Sequence, residues 1–308
     1  MKIHSIQLKN FRNYIDCSVK FDPFINILIG QNAQGKTNLL EAIYILSMSK
    51  SFKTKVIDEM IYFDQDFAKI QGQVINNQKT LNLEIVLSKL GKKALINHNE
   101  IKKTSDYVGY LNVVLFIPED LMLIKGSPKL RRKLIDMELS KISPIYMYDF
   151  NKYQRLLKER NKYLKLLNEK HLKADDYLEV LSEQMARLQV QLLKKRIEFV
   201  ELLNEISTKM YDYIALHQEV LSIQYKTHYK DMSYEGILED YRKNYQKDIA
   251  FKQTTHGIHK DDLVMCLNQQ DAITYASQGQ QRTIVLSLKI ALIELIKDEI
   301  GEYPVLLL

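Results

Sequence analysis

Gly30-Gln31-Asn32-Ala33-Gln34-Gly35-Lys36-Thr37 fits the spacing G-x-x-x-x-G-K-[ST] without a mismatch. Those residue types at that spacing make a phosphate cradle. The glycines let the backbone wrap closely, so that successive N–H groups point at the β- and γ-phosphates of a nucleotide. A helix starting directly behind the loop adds the positive end of its dipole. Lys36 supplies a mobile charge between those phosphates, and the Thr37 hydroxyl is placed to ligate Mg²⁺. The apolar residues 25–29 before the loop read as a buried central strand. Behind it, Leu39, Leu40, Ile43, Ile45 and Leu46 fall at helical spacing. Strand, glycine-bounded loop and helix, in that order, predict an ATP and Mg²⁺ site.

Ser277-Gln278-Gly279-Gln280-Gln281 opens a second apolar-periodic stretch that runs to Ile300. A serine there is an ordinary helix N-cap, and that reading stands by itself. Beside a phosphate loop, the segment also resembles the signature motif of ABC-type ATPases, LSGGQ in most transporters. The resemblance implies that the Ser277 hydroxyl, the Gly279 N–H and the helix dipole grip the γ-phosphate of an ATP held by a second subunit. In such proteins the next strand carries the two Walker B acids. Residues 303–308, Tyr-Pro-Val-Leu-Leu-Leu, have that strand's composition and neither acid. The expectation is therefore that the natural polypeptide continues, and that residues 1–308 alone bind ATP weakly and do not hydrolyse it. The catalytic acids and a glutamine-loop residue near 116–120 stay unassigned.

Several basic groups suit an acidic partner. Arg131, Arg132 and Lys133 follow Ser127-Pro128, an N-cap and first-turn pair. Positive charge there opposes the helix dipole by roughly a few tenths of a kcal/mol apiece, which points to an anion or acidic surface nearby. Lys152, Arg155, Lys158, Arg160, Lys162, Lys165, Lys170 and Lys173 outnumber Glu159 and Glu169 further on. Such a stretch is either a solvated face or a contact for DNA phosphates, notably through Arg155 and Lys158. His256, His259, Asp261 and Asp262 are metal-ligand types in close succession. No third cluster completes a set, which favours a charged turn.

The positioning elements divide the chain in three. Residues 3–8, 17–21, 25–29, 81–87 and 113–117 read as strands. From about residue 145 to 210 there is neither glycine nor, after Pro144, proline, and apolar residues take heptad-like positions. Residues 173–176 break that register with a capping triplet. Two antiparallel helices follow, the second of about 35 to 40 residues, forming a coiled-coil-like arm. Strand patterns return at 221–225, 263–267 and 272–275, then a helix to Ile300 and a strand at 303–308. The predicted fold is α/β, an ABC/SMC-type P-loop ATPase lobe made of residues 1–120 and 220–308, interrupted by a helical arm at 121–219.

Composition excludes little. Lys+Arg of 44 against Asp+Glu of 38 gives 44 − 38 = +6, which permits a nucleic-acid partner without demanding one. Cys17 and Cys266 are the only cysteines, so no disulfide framework is expected and a reducing cytoplasm fits. No stretch has the length of a membrane span.

Three further segments carry a family resemblance across the whole chain. Ile6-x-Leu8-x-Asn10-Phe11-Arg12-Asn13-Tyr14, Gly126-Ser127-Pro128 with Arg131-Arg132 and Asp136, and Gly257-Ile258-His259-Lys260-Asp261-Asp262-Leu263 resemble motifs of the RecF family. Ile258 and Lys260 depart from its usual Pro and Arg, and Lys cannot clamp an anion in the bidentate way of Arg. The resemblance implies an ATP-dependent homodimer in the cytoplasm, associated with the nucleoid. It implies binding to single-stranded and gapped duplex DNA, and loading of RecA with RecO and RecR in recombinational repair and the SOS response. Hydrolysis in the family is weak and acts as a release switch. Arg12 and Asn13 would line the nucleotide. An SMC-like structural clamp and a small-molecule P-loop kinase are the rival readings. The first needs a much longer coil with a hinge; the second has no SQGQQ-type helix.

Overall fold

Alternating apolar side chains set the first strands. In the computed structural model, which describes residues 1–32 and 34–308, Ile3, Ile6 and Leu8 of β1 (Lys2–Phe11) are buried. They line one face of a six-stranded antiparallel sheet. Its other members are β2 (Tyr14–Lys20), β3 (Phe67–Asn76), β4 (Lys79–Ser88), β5 (Gly91–Ile96) and β6 (Asn99–Ile101), in the order β2-β1-β3-β4-β5-β6. Leu8 pairs with Ile70, and Ile70 with Ile85, so one apolar row crosses three strands.

Helix α1 (Lys36–Met48) packs on this row and is buried nearly all round beyond its first turn. Leu46 packs close over β3: a Cβ on Gly72 would stand 2.3 Å from Leu46 Cδ2, so a side chain there would force the buried Leu46 to move. The Tyr107 hydroxyl donates to the Leu46 carbonyl at 2.7 Å, and the Ser47 hydroxyl donates to that of Leu111 at 2.6 Å. A parallel pair, β7 (Val113–Leu115) with β11 (Val305–Leu307), completes this first compact unit, residues 1–117 and 293–308.

Residues 118–292 form the second unit. After α2 (Met122–Lys125) and α3 (Pro128–Ile142) come the arm helices, α4 (Pro144–Glu169) and α5 (Asp176–Ile214). Asp175 caps α5 by accepting from the Leu178 N–H at 3.1 Å. At 39 residues α5 is about 58 Å long. Leu178, Leu181, Met185, Leu192, Phe199 and Leu203 lie along its buried stripe. A three-stranded sheet follows, β8 (Leu221–Lys226), β9 (Asp262–Leu267) and β10 (Gln270–Asp271), with α6 (Tyr234–Phe251), α7 (Ala272–Tyr275) and α8 (Gln278–Ile300). No helix among the described residues is long and apolar enough to cross a membrane.

The structure corrects two expectations. Residues 25–29 form no strand: Ile25, Ile27 and Ile29 are 79%, 78% and 91% exposed. An apolar run becomes a strand only when a ladder satisfies its backbone, and no described segment pairs with it. Residues 272–275 make a helical turn because Asp271 caps it, accepting from Ile273 N–H and from the Thr274 hydroxyl. The two arm helices α4 and α5 pack on each other as expected, and α6 packs on both of them. There Asp248 of α6 holds Arg160 of α4 at 2.8 Å, and Tyr241 donates to Gln189 of α5 at 2.9 Å.

Candidate nucleotide-binding site

The loop of residues 30–37 is held from the β1–β2 turn. Gly35 has φ +102°, a region that disfavours any side chain, and its missing Cβ would lie 2.7 Å from Asn13 Nδ2. Asn13 donates to the Gln34 carbonyl and accepts from Asn38 Nδ2 at 2.9 Å, while the Tyr14 hydroxyl donates to the Gly35 carbonyl at 3.2 Å. Asn13 therefore bridges the loop at Gln34 and the first turn of α1 at Asn38. Lys36 opens α1 and turns its ammonium back over the loop, donating to the Gly30 carbonyl and, at 2.8 Å, to that of Gln31. Its charge thus sits inside the curve of the loop, where a phosphate would need it. Gln31, Asn32, Gln34 and Thr37 are exposed; Ala33 lies outside the described residues.

Arg12, expected to line the nucleotide, is held by groups of its own chain. Its guanidinium makes two hydrogen bonds to the fully buried Glu41 of α1 and one to the Glu59 carbonyl. Ser51 and Lys53 also reach Glu41. Arg12 ties the start of α1 to the first strands; it positions the loop and is committed to protein partners.

In the second unit, Ser277 and Gln280 form a reciprocal capping box: the Gln280 N–H donates to the Ser277 hydroxyl at 3.3 Å, and Gln280 Oε1 accepts from the Ser277 N–H at 2.6 Å. Gln280 Nε2 also holds Glu219, and Gln281 Nε2 donates to the Ala276 carbonyl at 2.9 Å. Both glutamines are structural. Ser277, Gln278 and Gly279 are exposed at the helix start. Nothing inside the chain demands glycine at 279, where a Cβ would meet only Ser277 Oγ at 3.9 Å.

The basic residues separate cleanly. Arg131 is buried, pairing with both oxygens of Asp262 at 2.8 and 2.9 Å and donating to the carbonyls of Leu123, Ile124 and Gly126. Its donors are spent, so it is not a DNA or partner contact. Arg132 is half-buried and donates to the Asp261 carbonyl. Arg160, in the Lys-rich stretch, is fully buried against Asp248, Ser182 and Thr254. What stays exposed is Lys133, Lys170, Lys173 and, on one face of α4, the row Lys152, Arg155, Lys158, Lys162 and Lys165. Their 3-3-4-3 spacing makes a stripe about 20 Å long.

His259 does not belong to a metal set. Burial above all holds its pKa down to about 4, helped by Lys260 and Arg132 against the Thr254 carbonyl and Asp261. Neutral, it donates from Nε2 to the Thr254 carbonyl at 3.0 Å and accepts from the Tyr153 hydroxyl at 2.9 Å. His256 instead faces Asp240 and His228, two residues absent from the sequence-based set.

The AAA ATPase domain family matches residues 1–308. The DNA replication and repair protein RecF of Bacillus pumilus is 45% identical over the whole chain, which covers 85% of that protein; that of Enterococcus faecalis is 44% identical, 84% covered. The chain belongs to the RecF family. Its fold agrees: a solved structure of the recombination mediator protein RecF with ATP superposes with a TM-score of 0.95 at 33% identity, over the whole chain and 84% of the other. An Smc head structure follows at 0.53 and 13% identity, a likeness of fold alone. The architecture is thus a RecF-type P-loop ATPase lobe with a long helical insertion, and the function is that of DNA replication and repair.

Proposed function

We infer that this chain binds Mg·ATP at residues 30–37, dimerises around two composite nucleotide sites, and acts on single-stranded or gapped duplex DNA in the cytoplasm. Partners of RecO and RecR type would join it in loading RecA, consistent with a similar protein described as a mediator of the RecFOR pathway. Gly279 carries the composite-site reading. It is a glycine that its own chain leaves sterically open, beside an exposed Ser277 at a helix N-terminus, as a closely approaching phosphate from a second subunit requires. Lys36 and Thr37 would contact phosphates and Mg²⁺ on the first subunit. An SMC-type clamp is less well supported, because α4 and α5 are only 26 and 39 residues long.

The exposed stripe on α4 is the DNA contact in this reading. Binding should be stronger with ATP and fall steeply with salt, as neutralised phosphates release counterions. Arg155→Glu and Lys158→Glu should each lower affinity and reduce the salt slope by about one. A flat salt response in the unaltered protein would remove DNA as the target of the stripe.

A further inference from the structure

Three segments distant in sequence converge beside β9. His228 lies in the loop between β8 and α6, Asp240 on the second turn of α6, and His256 in the loop leading to β9. His256 Nδ1 is 3.0 Å and His228 Nε2 3.5 Å from the same Asp240 oxygen. One ligand atom from each residue lies within 4.8 Å of the other two. The imidazole centroids are 4.5 Å apart. Among the described residues, no other trio of His, Cys, Asp or Glu gathers in this way. Both rings thus turn a nitrogen toward one carboxylate edge.

We propose that His228, Asp240 and His256 bind a divalent cation of the zinc class. A tetrahedral ion about 2.0–2.1 Å from nitrogen and oxygen ligands sets them about 3.3 Å apart. The observed 3.5 and 3.0 Å lie on either side of that value. Two imidazoles with one carboxylate suit zinc and disfavour Mg²⁺, which takes oxygen ligands, so this site selects a different cation from the phosphate loop. A second layer is in place. Asp261 Oδ1 is buried, faces His228 Nδ1 at 3.7 Å, and has no hydrogen-bond partner, while Oδ2 accepts from Tyr225 at 2.7 Å. A carboxylate behind the far nitrogen aims the near one at the metal. Asn244 Nδ2, 3.0 Å from His256 Nδ1, gives way when the ion enters. The side chains are 31%, 24% and 29% exposed, which leaves the fourth position to water. The bound ion pins α6 to the loops on either side of it and so stabilises the second unit.

The test is titration of metal-stripped protein, without nucleotide, by Co²⁺ and then Zn²⁺. The unaltered protein gives a tetrahedral Co²⁺ absorption band that Zn²⁺ removes, and Zn²⁺, but not Mg²⁺, raises its melting temperature. His228→Asn, His256→Asn and Asp240→Asn lose both effects while their metal-free melting stays cooperative. His4→Asn and His98→Asn, at exposed positions elsewhere, keep both. Asp261→Asn weakens binding about 10- to 100-fold, as loss of an outer carboxylate does. Should a histidine variant fail to fold, Asp240→Asn decides alone. Absence of the band in folded unaltered protein, or its survival in the folded site variants, overturns the proposal.

Discussion

Arg12 grips Glu41 through Nε at 3.0 Å and Nη2 at 2.6 Å, and Glu41 is completely buried at the start of the helix that carries Lys36. The phosphate loop therefore rests on an ion pair formed between the first β-turn and α1. Removing one partner of such a pair strands the other charge.

Arg12→Ala should cost about 3 kcal/mol of stability, the low end for breaking a buried pair, because Lys53 and Ser51 still reach Glu41. Arg12→Lys should recover part of this and lose the fork geometry. Urea unfolding measures both. Weakened ATP binding with unchanged stability would instead mean that Arg12 contacts the nucleotide directly.

Arg131 and the α4 stripe should behave oppositely. Arg131→Met breaks a buried pair with Asp262 and three carbonyl contacts, at about 3 kcal/mol or more. DNA affinity of the folded fraction should not change. Lys158→Glu should leave stability within about 0.5 kcal/mol, as exposed substitutions do, and lower DNA affinity. Paired denaturation and DNA titrations on the two variants separate the roles.

His259 makes the protein acid-sensitive in a defined window. Its folded pKa, about 4, lies below the ordinary 6.5. Above about pH 6.5 the ring is neutral in both states and contributes no pH dependence. Below that the unfolded chain takes the proton first, so stability drains as pH falls through about 4, to a total of roughly 3 kcal/mol. His259→Gln should show a shallower loss over the same range. Parallel acid profiles of stability for the two proteins would count against the buried neutral ring.

Local signals read well where the chemistry is local. The phosphate-loop spacing, the Ser277 cap and the arm helices are legible because glycine spacing, capping and apolar periodicity are written within a few positions, although Asn13 and Tyr14 brace the loop and α6 the arm from afar. Residues 25–29 failed because strand formation depends on a distant ladder that composition does not reveal. Arg131 and Arg160 failed for a related reason: charge in a sequence does not tell whether a buried carboxylate lies opposite, and here Asp262 and Asp248 do. Helix α6 had a signal that went unread, Ser233 before Tyr234, then Ile237, Leu238, Tyr241, Tyr245 and Ile249 at helical spacing. Without it, Asp240 and His228 could not be placed beside His256.

If one subunit's Ser277 completes the ATP site built around the other's Lys36, as proposed, dimerisation depends on ATP and on both residues. Sedimentation velocity with ATP and with ADP, on the unaltered protein, Ser277→Arg and Lys36→Met, tests it most directly, with ATP affinity measured alongside. The unaltered protein should form an ATP-specific dimer. Ser277→Arg should bind ATP normally but stay monomeric, and a folded Lys36→Met protein should neither bind ATP nor dimerise. A Ser277→Arg protein that dimerises as fully as the unaltered one, or equal dimer in ATP and ADP, would contradict it.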